Sequence, residues 1–260
     1  MSEIHRTAAR GFDAGADAYE RARPGYPSDC VDWLVAELRI LEADAPVLDL
    51  AAGTGKFTRE LVARGIDCVA VEPVEGMRAR FAAALPDVQV LDGTAEAIPL
   101  DGASVSAIVV AQAFHWFRHG EALAEMHRVM LPGGRAGILW NVRDESEPWV
   151  GALTELMAPY ERAEGVKVPR HREETWRAPL ESSDLFERVA QRDFRHDHEM
   201  DVEGLVERIA SVSFVAVLDD VERAHVLAAV RALASEHPDL AGRERFAFPY
   251  IAETYVFKRV

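Results

Sequence analysis

Five short apolar runs, spaced through the middle of the chain by helix-length segments, limit its possible folds more than any other feature. They are Val47-Leu48-Asp49-Leu50, Cys68-Val69-Ala70-Val71, Val88-Gln89-Val90-Leu91, Val105–Ala111 and Gly137-Ile138-Leu139-Trp140. Each is too short for a helix and is bounded by Gly, Pro or Asp, the pattern of strands buried on both faces. Residues 56–64, 74–85 and 118–130 read as helices between them, whereas residues 92–104 are too polar and too broken by Gly and Pro. Strands alternating with helices require right-handed crossovers, and so a mostly parallel sheet covered on both sides.

The flanks differ. Trp149, Val150, Leu153, Leu156, Met157 and Tyr160 share one helical face, and Val202, Leu205, Val206 and Ile209 share another. Asp219 or Asp220 caps a third helix reaching about residue 235. Residues 189–194 and 254–257 read as two late strands. The expectation is one α/β domain, a doubly wound, mostly parallel, seven-stranded Rossmann-like sheet with an inserted helical lid. Its core spans about 31–145, 186–200 and 243–260, and the lid is drawn from 1–30, about 146–185 and 201–240. A chain of 260 residues suffices for such a core.

Charge and composition exclude several function classes. Forty-four acids against 29 bases give a net charge of −15, which repels phosphate backbones and anionic membranes, so neither nucleic acid nor membrane is an expected partner. No apolar stretch approaches the roughly 18–20 residues of a bilayer span. The opening Met1-Ser2-Glu3-Ile4-His5-Arg6 lacks the apolar core of a signal peptide. Cys30 and Cys68 make no disulfide framework. A cytoplasmic location is expected.

Ligands of open α/β sheets bind beyond the carboxyl ends of the strands, where strand order reverses. That rule selects Asp49-Leu50-Ala51-Ala52-Gly53-Thr54-Gly55, Glu72-Pro73, Asp92-Gly93-Thr94-Ala95 and Ala111-Gln112-Ala113-Phe114-His115-Trp116. Glu72 follows Gly53 by 19 residues, close to the offset of about 20 at which an acid grips a ribose diol. A nucleoside ligand is the first inference. A P-loop fails, because Phe57 follows Gly55-Lys56 and Leu50 stands where the first glycine belongs. A dinucleotide fingerprint lacks its third glycine, replaced by Thr58, and Asp49 would crowd a pyrophosphate with like charge. A ligand with a positive centre and no phosphate fits better, and S-adenosylmethionine is such a ligand. His115 and His119 stand four apart with no third ligand at motif spacing, so no metal is expected.

Residues 47–55 resemble the glycine-rich first motif of the class I S-adenosylmethionine-dependent methyltransferases. Val71-Glu72-Pro73, Gly93-Thr94-Ala95-Glu96-Ala97-Ile98-Pro99-Leu100 and Met130-Leu131-Pro132-Gly133-Gly134 agree in order and spacing. Residues 12–27, with Tyr19, Arg23-Pro24 and Tyr26-Pro27, and Phe114-His115-Trp116-Phe117 are similar to the small-molecule branch that includes trans-aconitate methyltransferase. The resemblance implies a methyltransferase-type sheet and a methyl donor that leaves as S-adenosylhomocysteine. It further implies that Asp49, Ala51, Gly53 and Gly55 line the cofactor loop, with Gly53 and Gly55 meeting the methionine moiety and ribose. Glu72 would accept from the ribose hydroxyls and Met77 would cover one adenine face. Ala95 would donate its N–H to the ring and Thr94 would accept from the exocyclic amine, where relatives often carry Asp. Gln112 would face the methionine end, and Tyr19 and Arg23 would close over it, Arg23 pairing its carboxylate.

The expected activity is methyl transfer to oxygen, nitrogen or carbon of a small-molecule acceptor, a carboxylate or natural product among the choices. His115, beside Gln112, is the candidate general base, with a positioning role as its alternative. A nicotinamide-dependent oxidoreductase and a non-catalytic S-adenosylmethionine-binding protein are the competing readings. Acceptor and oligomeric state are left open.

Overall fold

The computed structural model describes residues 23–161 and 176–260. Its sheet has seven strands in the order β3-β2-β1-β4-β5-β7-β6. They are β1 (Val47–Leu50), β2 (Cys68–Val71), β3 (Gln89–Leu91), β4 (Val105–Ala111), β5 (Met130–Arg143), β6 (Phe186–Met200) and β7 (Phe246–Arg259). The pairings β2–β3, β1–β2, β1–β4 and β4–β5 are parallel, with Asp49 opposite both Ala70 and Val109. All four residues of β1 and of β2 are buried, as strands covered on both faces require.

Among the described residues the helices are α1 (Ser28–Glu37), α2 (Lys56–Val62), α3 (Glu75–Ala84), α4 (His119–Val129), α5 (Pro148–Glu161), α6 (Arg177–Glu181), α7 (Val202–Ala210), α8 (Ser213–Ala216) and α9 (Asp220–Glu236). Asp219 caps α9, its side chain accepting the Glu222 N–H at 2.8 Å. No helix among the described residues is long and apolar enough to cross a membrane.

Three strands are longer than their apolar runs suggest. β5 contains Pro132, Gly133 and Gly134, which read as a turn before the strand. The pairing steps from Val105–Met130 to Ala107–Arg135, so that segment is a bulge inside β5 rather than its approach. β6 and β7 extend past residues 189–194 and 254–257 with alternating or polar side chains, which hid their ends.

The chain divides into two compact units. One comprises 25–141, 169–194 and 252–260 and holds the sheet core, where Val31, Leu34 and Leu38 pack with Val47, Val109, Leu139 and Val256. Trp176 belongs here, with its ring 4.3 Å from that of Trp140. The other unit comprises 1–24, 142–168 and 195–251. Trp149, Leu153 and Met157 of α5 pack there with Leu205, Ile209, Phe214, Val226, Val230, Phe248 and Tyr250. His196 is half-buried and stacks with its ring centroid 5.8 Å from that of Tyr250.

Candidate active site

The chain leaves β1 toward β2 and β3 on one side and places β4 on the other, so strand order reverses between β1 and β4. The loops leaving these two strands bound the crevice that such a reversal opens. After β1 the backbone turns left-handed three times, at Ala51 (φ 60°), Gly53 (φ 59°) and Gly55 (φ 80°). The Val71 carbonyl of β2 accepts the N–H groups of Ala51 and Ala52 at 2.8 and 3.2 Å, holding the strained Ala51. Gly55 starts α2, and a Cβ there would lie 2.8 Å from Phe81, so only glycine fits. At Gly53 a Cβ would meet only Met77 Sδ within 4 Å, at 3.8 Å.

Two acids lie under this turn. Asp49 is buried; Thr58 donates its hydroxyl to Asp49 Oδ2 at 2.6 Å, while Oδ1 is buried with no hydrogen-bond partner. Burial pushes the Asp49 carboxyl up to about 6, against the Thr58 bonds that favour the ionised form. The residue that breaks the dinucleotide pattern thus anchors this acid. Glu72, equally buried, accepts the Gly53 N–H on Oε2 at 2.9 Å and the Val74 N–H on Oε1 at 2.8 Å. Burial raises it to about 7, opposed by those two N–H groups and by Arg78. Each Glu72 oxygen retains a lone pair for a further donor.

The remaining candidates come from the next two strand ends. Thr94 forms an isolated bridge with Ala97, its carbonyl accepting the Ala97 N–H at 3.2 Å, and Ala95 is buried. This turn is clamped from α4: Glu125 accepts the Ile98 N–H at 2.9 Å, and Arg128 donates to the Ile98 and Leu100 carbonyls. Gln112, just past β4, has φ 65° and donates its N–H to Leu139 at 2.8 Å. The Trp140 indole N–H, which only donates, reaches His115 Nδ1 at 3.1 Å. That bond leaves the neutral ring with its proton on Nε2, a signal no local motif carried.

Arg23 lies in the helical unit and donates to the Ser211 carbonyl at 3.0 Å. Tyr19 lies outside the described residues.

The donor set suits S-adenosylmethionine. A ribose diol can occupy the spare lone pairs of Glu72, the orphaned Asp49 oxygen suits a cationic group, and the glycine turn admits backbone approach. Two buried acids would repel a diphosphate.

The family model for the methyltransferase domain matches residues 48–138. An uncharacterized methyltransferase of Mycobacterium tuberculosis H37Rv is 39% identical over 251 residues, 96% of each chain. An uncharacterized methyltransferase-like protein of Schizosaccharomyces pombe is 32% identical over 244 residues, covering 92% of this chain and 91% of its own. Among solved structures, a protein assigned as a type II methyltransferase of Anaeromyxobacter dehalogenans superposes with a TM-score of 0.68 at 21% identity, covering 91% of this chain and 97% of its own. The geranyl diphosphate C-methyltransferase of Streptomyces coelicolor, solved with S-adenosylhomocysteine, aligns at 0.51 and 13%, covering 90% and 76%. Strand order, glycine turn and full-length relatives agree: the chain belongs to the class I S-adenosylmethionine-dependent methyltransferases.

Proposed function

We propose that this methyltransferase acts on a small-molecule acceptor, with the crevice between β1 and β4 as its cofactor site. The observation that carries the reading is the pair of buried acids under a left-handed glycine turn, Glu72 bonded to the Gly53 N–H and Asp49 with an unused oxygen. In this reading Glu72 accepts from both ribose hydroxyls, and Ala51, Gly53 and Gly55 bring backbone close to the ribose and methionine moiety. Asp49 faces the positive amino end, directly or through the loop. Met77 covers an adenine face, while Thr94 and Ala95 offer the hydroxyl acceptor and N–H donor for the ring edge. Gln112 faces the methionine end.

When bound, the sulfonium supplies an activated methyl group. The protein's work is then alignment of the acceptor atom and exclusion of water. His115 fits a positioning role better than a general base: protonating Nδ1 would set an imidazolium N–H against the Trp140 N–H. The family and the net charge of −15 support a small acceptor over nucleic acid. A cytoplasmic location accords with two buried, free cysteines.

Calorimetric titration with S-adenosylmethionine, S-adenosylhomocysteine and NAD, followed by a methyl-transfer assay on a small-molecule panel, tests the reading. Micromolar binding of the first two and none of NAD is expected. Equal binding of NAD would move the site to nicotinamide chemistry, and cofactor binding without turnover on any acceptor would favour a sensor.

A further inference from the structure

Among the described residues, the helical unit contains a buried cation with no counter-ion. Arg208 of α7 is 8% exposed, and its Nε donates to the Tyr250 hydroxyl at 3.0 Å. Its Nη1 is buried with no hydrogen-bond partner, and no carboxylate among the described residues pairs with it. Tyr250, on β7, is fully buried, and its hydroxyl oxygen accepts from Arg208 Nε, which leaves the phenolic proton free to donate to a further group. Two donors thus stand side by side in an apolar cluster that includes Leu205, Ile209 and Phe248.

Internal contacts do not account for this arrangement. The guanidinium carbon lies 5.9 Å from the Tyr250 ring centroid, at the outer edge of cation–π range. Burying an unpaired ion is costly, and one contact at the edge of cation–π range does not compensate for it. α7 needs no arginine for its own formation: Asp201 caps it by accepting the Gly204 N–H at 2.7 Å, and Leu205, Val206 and Ile209 bury its apolar face.

We propose that Arg208 and Tyr250 form a binding site for the carboxylate of an apolar organic acid. The Nη1–H and the phenolic O–H would donate to the carboxylate, and the neighbouring aliphatic and aromatic side chains would take the apolar body. One buried positive charge matches a monoanion; a phosphate dianion would leave a charge uncompensated. The site lies within one unit and is argued independently of the function proposed above. The binding site itself is tested without cofactor or turnover, so the two fail separately.

The full chain is titrated by calorimetry with hexanoate, phenylacetate and indole-3-acetate, and with phenylacetamide and phenyl phosphate as controls. At least one carboxylate should bind, and phenylacetate or its best analogue at least tenfold more tightly than the matched amide. Arg208→Met should abolish that preference, and Tyr250→Phe should weaken carboxylate binding severalfold. Melting of the unliganded proteins gives an independent reading: Arg208→Met should melt at the same temperature as the parent or higher, because it removes an uncompensated buried charge. Absence of binding by every carboxylate, equal binding of acid and amide, or a large fall in melting temperature for Arg208→Met would each overturn the site. Tighter binding of phenyl phosphate would replace the carboxylate with a phosphate ester and overturn the assignment.

Discussion

The carboxylate of Glu72 at the end of β2 accepts the backbone N–H of Gly53 in the turn after β1, at 2.9 Å. One side chain therefore fixes the glycine turn while keeping lone pairs for a ligand. Its second oxygen accepts the Val74 N–H just ahead of α3, so the same acid also organises the start of the next helix. Fold and proposed ligand site converge on this residue.

Replacing Glu72 tests both duties. Glu72→Ala removes the acceptor for the ribose hydroxyls, leaving about 1–3 kcal/mol of uncompensated desolvation per group. Affinity for S-adenosylhomocysteine should fall at least tenfold by calorimetry. Glu72→Gln keeps an oxygen for one N–H but loses the charge, so it should fall between Ala and the parent. An unchanged dissociation constant for Glu72→Ala would show that the cofactor lies elsewhere.

The two glycines of the turn should separate stability from binding. Gly55→Ala places a Cβ 2.8 Å from Phe81 and 2.9 Å from Leu85, at φ 80°. Overpacking and left-handed strain together predict a loss of about 2–4 kcal/mol, read as a lower melting temperature. Gly53→Ala meets nothing closer than Met77 Sδ at 3.8 Å, so it bears only the backbone strain of about 1 kcal/mol. Its main effect should be on cofactor affinity, because the added methyl group occupies the face that the ligand approaches.

His115 should tolerate substitution better than a general base would. The Trp140 N–H donates to Nδ1 and so orients the ring. His115→Gln should keep turnover within tenfold of the parent once an acceptor is known, whereas loss of a base typically costs 10²–10⁴-fold. Trp140→Phe should shift turnover by a similar small factor, since it releases the same orientation. A hundredfold loss confined to kcat in His115→Gln, with cofactor binding intact, would restore the base.

The sheet and the loops of the candidate site were legible because both rest on short-range pattern. β1, β2 and β4 are short, almost wholly apolar runs, and the glycine turn, Glu72, Thr94-Ala95 and Gln112 lie just past β1, β2, β3 and β4 in turn. The ends of β5, β6 and β7 were not, because they alternate polar and apolar residues or carry Pro and Gly. Side-chain pairs distant in sequence were hidden for a different reason. Trp140 meets His115 across 25 positions and Arg208 meets Tyr250 across 42, and no local spacing records such pairs. Thr58 was read as a missing glycine, and its bond to Asp49 emerged only from the geometry.

The raised carboxyls make cofactor affinity and fold stability respond to pH in opposite directions. Glu72 titrates near 7 in the unliganded protein, and ribose hydroxyls donate best to its ionised form. Binding therefore lowers its pKa and releases a proton below neutrality. Affinity for S-adenosylhomocysteine should rise as pH increases and level off above about 7; if only the ionised form binds, it should be roughly 30-fold weaker at pH 5.5. Asp49, near 6, should steepen the acid side if it faces the amino group. Folding has the other sign. A carboxyl raised from 4.5 to about 7 by burial contributes stability that is fully present below its ordinary range and is lost as pH rises toward 7. Weaker binding in mild acid would thus occur where Glu72 favours the fold, which separates it from acid unfolding. Calorimetry across pH 5.5–8.5, paired with melting curves of the parent and Glu72→Gln, checks both signs. The variant should show flatter curves in each measurement, and an affinity independent of pH in the parent would mean that Glu72 does not receive the ribose.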